Sequence, residues 1–188
     1  MVTVRKERPA EAATRDALLD LAYGPARFTK TSQRLREGHR PELALVAAES
    51  RRIVGTVQLW EVWAGRERPA LLLGPLAVAP DRRKRGIGST LMHYALREAA
   101  RRRYGAVLLV GDAAYYSRFG FSSEKTDALW LPGPYERHRL LGCELKPGAL
   151  DGARGLISAR GPLEQRPDLA ALVAGLVGKD NRLVPHAA

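Results

Sequence analysis

Val2 and Val4 alternate with Thr3 and Arg5 ahead of Pro9, the period of a short strand ended by a residue that cannot donate a ladder bond. Apolar residues then return at helical spacing over 11–21, and Tyr23-Gly24-Pro25 breaks that helix. A second short helix is expected over 29–36, before Gly38 and Pro41. Two stretches rich in β formers, 43–48 and 53–63, flank the polar segment 49–52 and predict a hairpin. A third strand is expected over 70–79. Gly74-Pro75 interrupts it; glycine packs nothing and proline lacks an N–H, so a bulge or bend is expected there.

Between 89 and 103, Leu91, Met92, Ala95, Leu96, Ala99 and Ala100 recur every three to four positions opposite His93, Arg97 and Glu98, one face of an amphipathic helix. Gly105 stands where glycine commonly stops a helix, and Arg101, Arg102 and Arg103 suit the negative end of its dipole. Residues 106–110 are wholly apolar, as in a strand covered on both faces. Strand, helix and strand in that order imply a right-handed crossover and a parallel strand pair. Beyond Gly111-Asp112 a short helix reaches Arg118, a polar loop surrounds 131–135, and strands are expected at 139–145 and 154–159. The pattern predicts a mixed α/β or α+β domain, without internal repeats or a dividing linker. In the extension 161–188, Leu169, Leu172, Val173, Leu176 and Val177 form one apolar helix face between Pro167 and Gly178. That face can pack on its own domain or on a second copy in a homodimer.

Composition changes the picture little. A chain of 188 residues with 45% hydrophobic and 27% charged residues fits one globular core and excludes disordered or fibrous classes. No apolar run approaches the ~20 residues that cross a bilayer, and the N-terminus lacks the apolar stretch and cleavage site of a secretory signal. The lone Cys143 allows no internal disulfide and suits the reducing cytoplasm. The net charge of +11 favours anionic partners. Only six of the cations are lysines, however, and an excess of Arg and Ala is also what a GC-rich genome produces. Local clusters are therefore more informative, notably Arg82-Arg83-Lys84-Arg85. No helix-turn-helix, zinc finger or aromatic-rich basic sheet signature points to specific nucleic-acid readout. His39, His93, His138 and His186 show no metal-ligand spacing with one another or with Cys143, so no metal site is expected. Cys143 lies in an expected strand as a small core residue.

The most informative stretch joins the 70–79 strand to the next helix through a cationic turn holding Gly86 and Gly88. Unpaired backbone N–H groups and partial positive charge at a helix start bind phosphate oxygens where the backbone can be approached closely, and these glycines permit that approach. The turn is not a P-loop, because no Gly-Lys-Ser/Thr stands after the required spacer. Nor is it a dinucleotide fingerprint, because Leu91 stands where the third glycine would be.

Arg83-x-x-Gly86-x-Gly88, preceded by Leu76-Ala77-Val78 and Pro80, resembles the Q/R-x-x-G-x-G/A motif of the GNAT superfamily of acyl-CoA N-acyltransferases. Tyr116-Ser-Arg-Phe-Gly120-Phe121 is similar to that family's later Y-x-x-x-G-F signature. The longer strings LLLGPLAVAP, GIGS and GDAAYYSRFGF, with ELKPGAL at 144–150, look like its bacterial YhbS-like branch. The resemblance covers about residues 1–160. It implies a mostly antiparallel mixed sheet with a central, splayed parallel strand pair and flanking helices. It further implies that acetyl-CoA is the acyl donor, its pyrophosphate held by the turn of Arg83, Lys84, Arg85, Gly86, Ile87, Gly88 and Ser89. Its pantetheine arm would pair with the backbone of the Leu76, Ala77 and Val78 strand.

Tyr116 corresponds to the family tyrosine placed to protonate the departing thiolate, with Tyr115 left for packing. Proton transfer from a phenol of pKa ~10 to a thiolate of ~8.5 is uphill by about 2 kcal/mol, so a hydrogen bond that steadies the sulfur can matter as much. Asp112 either relays a proton from the amine through water or serves as the N-cap of the helix after it. Glu61 is a second carboxylate within conceivable reach. The segments 23–36 and 131–137 are the candidate walls for the amine acceptor, whose identity the motifs leave open. Two functions are consistent with these motifs: acetyl transfer from acetyl-CoA to a primary amine by direct attack in a ternary complex, or acyl-CoA sensing without turnover.

Overall fold

The computed structural model describes residues 1–164. Strand β1 (Val2–Lys6) and helix α1 (Ala12–Tyr23) open the chain; a 3-10 segment, Pro25–Phe28, comes next, and a second, Thr31–Leu35, stands where a short helix over 29–36 is expected. Gly24 and Pro25 stop α1, and the Gly38 and Pro41 punctuation leaves too few residues for a stable α-helix between. Strands β2 (Leu43–Glu49), β3 (Arg52–Ala64) and β4 (Pro69–Val78) form an antiparallel meander. Helix α2 (Ile87–Arg101) crosses to β5 (Ala106–Val110), and α3 (Ala113–Tyr116) comes directly after it. Then come β6 (Leu129–Trp130), β7 (Leu140–Glu144) and β8 (Gly155–Ala159).

The sheet runs β1-β2-β3-β4-β5-β7, antiparallel throughout except for β4 beside β5. Strand β3 is longer than β2, and where β2 ends β8 takes over its edge, Val62 facing Ala159. Strand β6, directly ahead of the loop expected at 131–135, pairs in parallel with β8. Alternation across the strands divides the core: Leu71, Leu73, Val107 and Leu109 join Leu91, Met92 and Ala95 of α2, whereas Leu72, Leu108 and Ala106 pack with Leu129, Leu140 and Ile157. Both faces of β5 are thus covered, which explains its unbroken apolar sequence.

Two irregularities of β4 open the sheet at one point. At the expected interruption, Gly74 and Pro75 together oppose the single residue Gln58, and Trp60 Nε1 donates to the freed Gly74 carbonyl at 2.8 Å. Strands β4 and β5 pair only at Leu71–Val107 and Leu72–Leu108, after which β4 continues to Val78 with no β5 partner. The pair is splayed. Helix α2 ends two residues sooner than its glycine suggests: Arg103 takes the left-handed conformation at φ +66°, and Tyr104 N–H returns to the Ala99 carbonyl at 3.1 Å. Gly105 serves space instead, since a Cβ there would lie 2.9 Å from that of Ala149. Residues 161–164 lie against 38–40, with Arg40 N–H donating to the Pro162 carbonyl at 2.9 Å. The helix expected at 167–178, with its homodimer surface, falls outside the described residues. Among the described residues no helix is long and apolar enough to cross a membrane.

Candidate functional site

Strand β4 leads through the 3-10 turn Pro80–Arg82 into a loop where Lys84 and Gly86 both have positive φ, +62° and +75°. The first intrahelical bond of α2 runs from Thr90 N–H to the Gly86 carbonyl at 2.9 Å, and no side chain caps the helix start. The N–H groups of Ile87, Gly88 and Ser89 therefore have no intrahelical acceptor and add to the positive end of the helix dipole. They face a groove of about 570 Å³ whose long wall is Leu76, Ala77 and Val78. Gly88 is tight as well as open to the groove: a Cβ there would lie 3.2 Å from the Tyr115 hydroxyl and 3.7 Å from Val78 Cγ2. Arg83, Lys84 and Arg118 add cationic side chains to the same groove.

Where β4 and β5 part, a second cavity of about 90 Å³ lies between the Gly74-Pro75 bulge, Val110 and Tyr116. The Tyr116 ring lies over Gly111, where any side chain would overlap it. Burial, reinforced by the neighbouring Tyr23 and Tyr115, pushes its hydroxyl pKa up to about 12. Tyr23, at the end of α1, lines both cavities, and its hydroxyl donates to the Leu76 carbonyl, on the β4 edge left free by the splay. A third cavity of about 260 Å³ adjoins the second through Lys30, Ser32 and Val110 and is walled by Thr31, Tyr135 and Arg139.

A free strand edge thus runs from a helix start toward a tyrosine, and comparison with known proteins shows the family of the chain that carries it. The family model for the acetyltransferase (GNAT) domain matches residues 40–123, which hold β4, the turn, α2 and Tyr116. The uncharacterized N-acetyltransferase YhbS of Escherichia coli K12 is 31% identical over 156 residues, 82% of this chain and 93% of that protein. The chain belongs to the GNAT family of N-acetyltransferases. The crystal structure of E. coli YhbS in complex with CoA superposes with a TM-score of 0.73 at 30% identity, covering 85% of this chain and 89% of that one. A GNAT acetyltransferase from Brucella melitensis, in complex with acetyl-CoA, gives 0.63 at 27% identity, covering 85% and 96%.

In this GNAT domain the residues expected at the donor site gather in the first groove, all but Arg85, which does not line it. Arg82 lines the groove but is already engaged, with Nε 2.7 Å from Glu49 and Nη1 2.8 Å from Asp81. Tyr116 and Tyr115 separate as their helical phase requires: Tyr115 packs against the core as expected, and its hydroxyl also lies at Gly88 in the first groove. Of the two roles open to Asp112, the structure displays the cap, its Oδ1 accepting from Ala114 N–H at 3.0 Å, and its side chain lines neither of the two main cavities. Glu61 is committed elsewhere, accepting from the Tyr104 hydroxyl at 2.7 Å and lying 3.3 Å from Arg160. Cys143 is buried in β7, and burial pushes its thiol pKa up. The candidate acceptor walls do meet, 23–36 on the second cavity and parts of both 23–36 and 131–137 on the third. Sequence reasoning placed Tyr23 in the candidate acceptor wall 23–36 but not at the groove along Leu76, and it missed Arg118, which occupies an unspecified position inside the Tyr116 motif. Among the described residues no group of three or more His, Cys, Asp or Glu side chains is arranged to hold a metal ion.

Proposed function

We propose that this protein transfers an acetyl group from acetyl-CoA to a primary amine by direct attack in a ternary complex, as a cytoplasmic enzyme whose catalytic unit is residues 1–160. The observation that carries the proposal is the succession of two cavities that share Tyr23 and Leu76, one at the open N-terminus of α2 along the unpaired β4 edge and the next at Tyr116. The residues fit the donor. Free N–H groups at Ile87, Gly88 and Ser89 suit a pyrophosphate, Arg83, Lys84 and Arg118 suit further phosphate charge, and Leu76 and Val78 offer backbone to an amide-bearing arm. The thioester supplies an already activated acyl carbon, so the chain's own task is chiefly orientation and charge stabilisation.

Transfer forms a C–N bond and breaks a C–S bond; the amine nitrogen gives up a proton and the sulfur gains one. Full donation from a Tyr116 phenol near pKa 12 to a thiol of ordinary acidity is uphill by about 5 kcal/mol. Tyr116 is therefore assigned as a hydrogen-bond donor that steadies the leaving sulfur, with solvent completing its protonation. Neither main cavity is lined by a carboxylate, so the amine proton is assigned to water. Three nearby cations, Arg27, Lys30 and Arg36, ease its loss by favouring the neutral amine. The test is release of free CoA from acetyl-CoA across an amine panel. Amine-dependent release with matching acetylated product supports the transferase. Tight acetyl-CoA binding without release for any amine identifies a sensor instead.

A further inference from the structure

Arg36 closes the 3-10 segment Thr31–Leu35 and is only 7% exposed. Its Nη2 donates to Ser32 Oγ at 3.2 Å, and its Nε is buried with no acceptor. The guanidinium belongs to the wall of the cavity at Tyr116: its Nη1 lies 4.0 Å from where a side chain on Gly74 would begin. A buried arginine without a carboxylate partner is strongly destabilising unless something else supplies the negative charge. Burial, reinforced by Arg27, pulls its pKa down to about 10, so it stays cationic at neutral pH.

The other charges at this cavity have the same sign. Arg27 is held by Asp20 at 2.7 Å. Lys30 carries its ammonium 4.7 Å above the Tyr23 ring, and burial lowers its pKa ahead of the contributions of Arg139 and Arg36. No aspartate or glutamate lines the cavity. A site built to receive a simple or polycationic amine would present carboxylates; this one presents an unsatisfied guanidinium a short way from Tyr116.

Resting on the transferase assignment above, we infer that the acceptor is a small amine that also bears an anionic oxygen group, a carboxylate or a phosphate, seated against Arg36 while its nitrogen faces Tyr116. The Nη1 on the cavity side, which Ser32 leaves unengaged, gives such a group a charge-assisted hydrogen bond, the strongest class available to a neutral-pH site. The cavity of about 90 Å³ limits what sits beside Tyr116 to a small fragment, and the adjoining 260 Å³ cavity, whose one carboxylate Glu136 lies 3.4 Å from Arg139, takes any remainder. The positive field beside Tyr116 disfavours a second ammonium there, so short diamines are poor acceptors.

The experiment measures kcat/KM by CoA release for matched acceptors: L-amino acids against their carboxamides, O-phosphoethanolamine against ethanolamine, a neutral peptide with a free α-amine, and putrescine. Expected is a preference of about tenfold or more for the anionic member of at least one pair, the responding pair telling carboxylate from phosphate. In Arg36→Gln that preference falls to near unity while acetyl-CoA affinity is retained, and Arg36→Lys restores part of it. Equal or better use of carboxamides, ethanolamine, the peptide or putrescine overturns the inference and leaves the transferase standing, as does a preference that survives in both variants. Acetyl-CoA binding with no CoA release for any acceptor removes the transferase and the inference together. The wild-type comparison decides by itself should Arg36→Gln not fold.

Discussion

Tyr115 and Tyr116, adjacent in the chain with ring centroids 4.9 Å apart and planes at 87°, open onto different cavities. The roughly 100° step between helical neighbours sends one hydroxyl to Gly88 at the start of α2 and leaves the other ring over Gly111 at the strand splay. Under the proposed transferase, chemistry falls to Tyr116 and donor binding to Tyr115.

Removing each hydroxyl separately tests that division. Tyr116→Phe is expected to lower kcat by about 10²-fold with acetyl-CoA affinity preserved. Tyr115→Phe is expected to raise the KM for acetyl-CoA by about fivefold, the loss of one ordinary hydrogen bond, with kcat nearly unchanged. Steady-state kinetics on both variants check it, and an exchange of the two phenotypes would reverse the assignment.

The pH dependence comes from the buried phenol. The folded-state pKa of Tyr116, about 12, lies above the unfolded value of ~10. Its contribution to stability is complete below pH ~10 and is lost as pH rises from there through the folded value. Across the working range the hydroxyl remains a donor. The rate is expected to rise as the acceptor amine loses its proton, with no descending limb from Tyr116 up to pH ~10. A fall between pH ~8 and ~10 that disappears in Tyr116→Phe would contradict this.

Gly86 and Gly88 serve different ends. Gly86 needs its left-handed φ and has no neighbour within 4 Å of a built Cβ, so Gly86→Ala is expected to cost about 1 kcal/mol of stability. Gly88 has ordinary φ but faces Tyr115 and the groove, so Gly88→Val is expected to weaken acetyl-CoA binding about tenfold or more in a folded protein. Thermal unfolding and titration calorimetry separate the two.

Asp112 is tested by a pair of substitutions. Asparagine keeps an oxygen for the Ala114 N–H and removes the charge; alanine removes both. Asp112→Asn is expected to retain turnover, and Asp112→Ala to lose about 1 kcal/mol of stability. A loss of turnover in the folded asparagine variant would restore Asp112 as a base.

The donor groove is legible in the sequence because its signals are local: apolar Leu76 and Val78, the cationic turn, two glycines and an amphipathic helix occur in one unbroken run. The β4 bulge is legible for the same reason. Arg36 is not. Nothing in 29–36 distinguishes a buried arginine from a solvated one, since its burial arises where this segment comes to line the cavity beside the Gly74-Pro75 bulge. Tyr23 is hidden likewise, because its partner Leu76 lies far along the chain. The stop of α2 misleads for a different reason: glycine at 105 is required by the close approach of Ala149, a tertiary contact, while Arg103 takes the left-handed position.

A crystal structure of the protein with acetyl-CoA tests the central claim most directly. The account predicts pyrophosphate oxygens on the N–H groups of the 84–89 turn and the pantetheine arm along Leu76 and Val78, with the Tyr23 hydroxyl released from the Leu76 carbonyl. The thioester sulfur is predicted within hydrogen-bond reach of Tyr116. A sulfur beside Tyr115, or a nucleotide bound away from the start of α2, would contradict it.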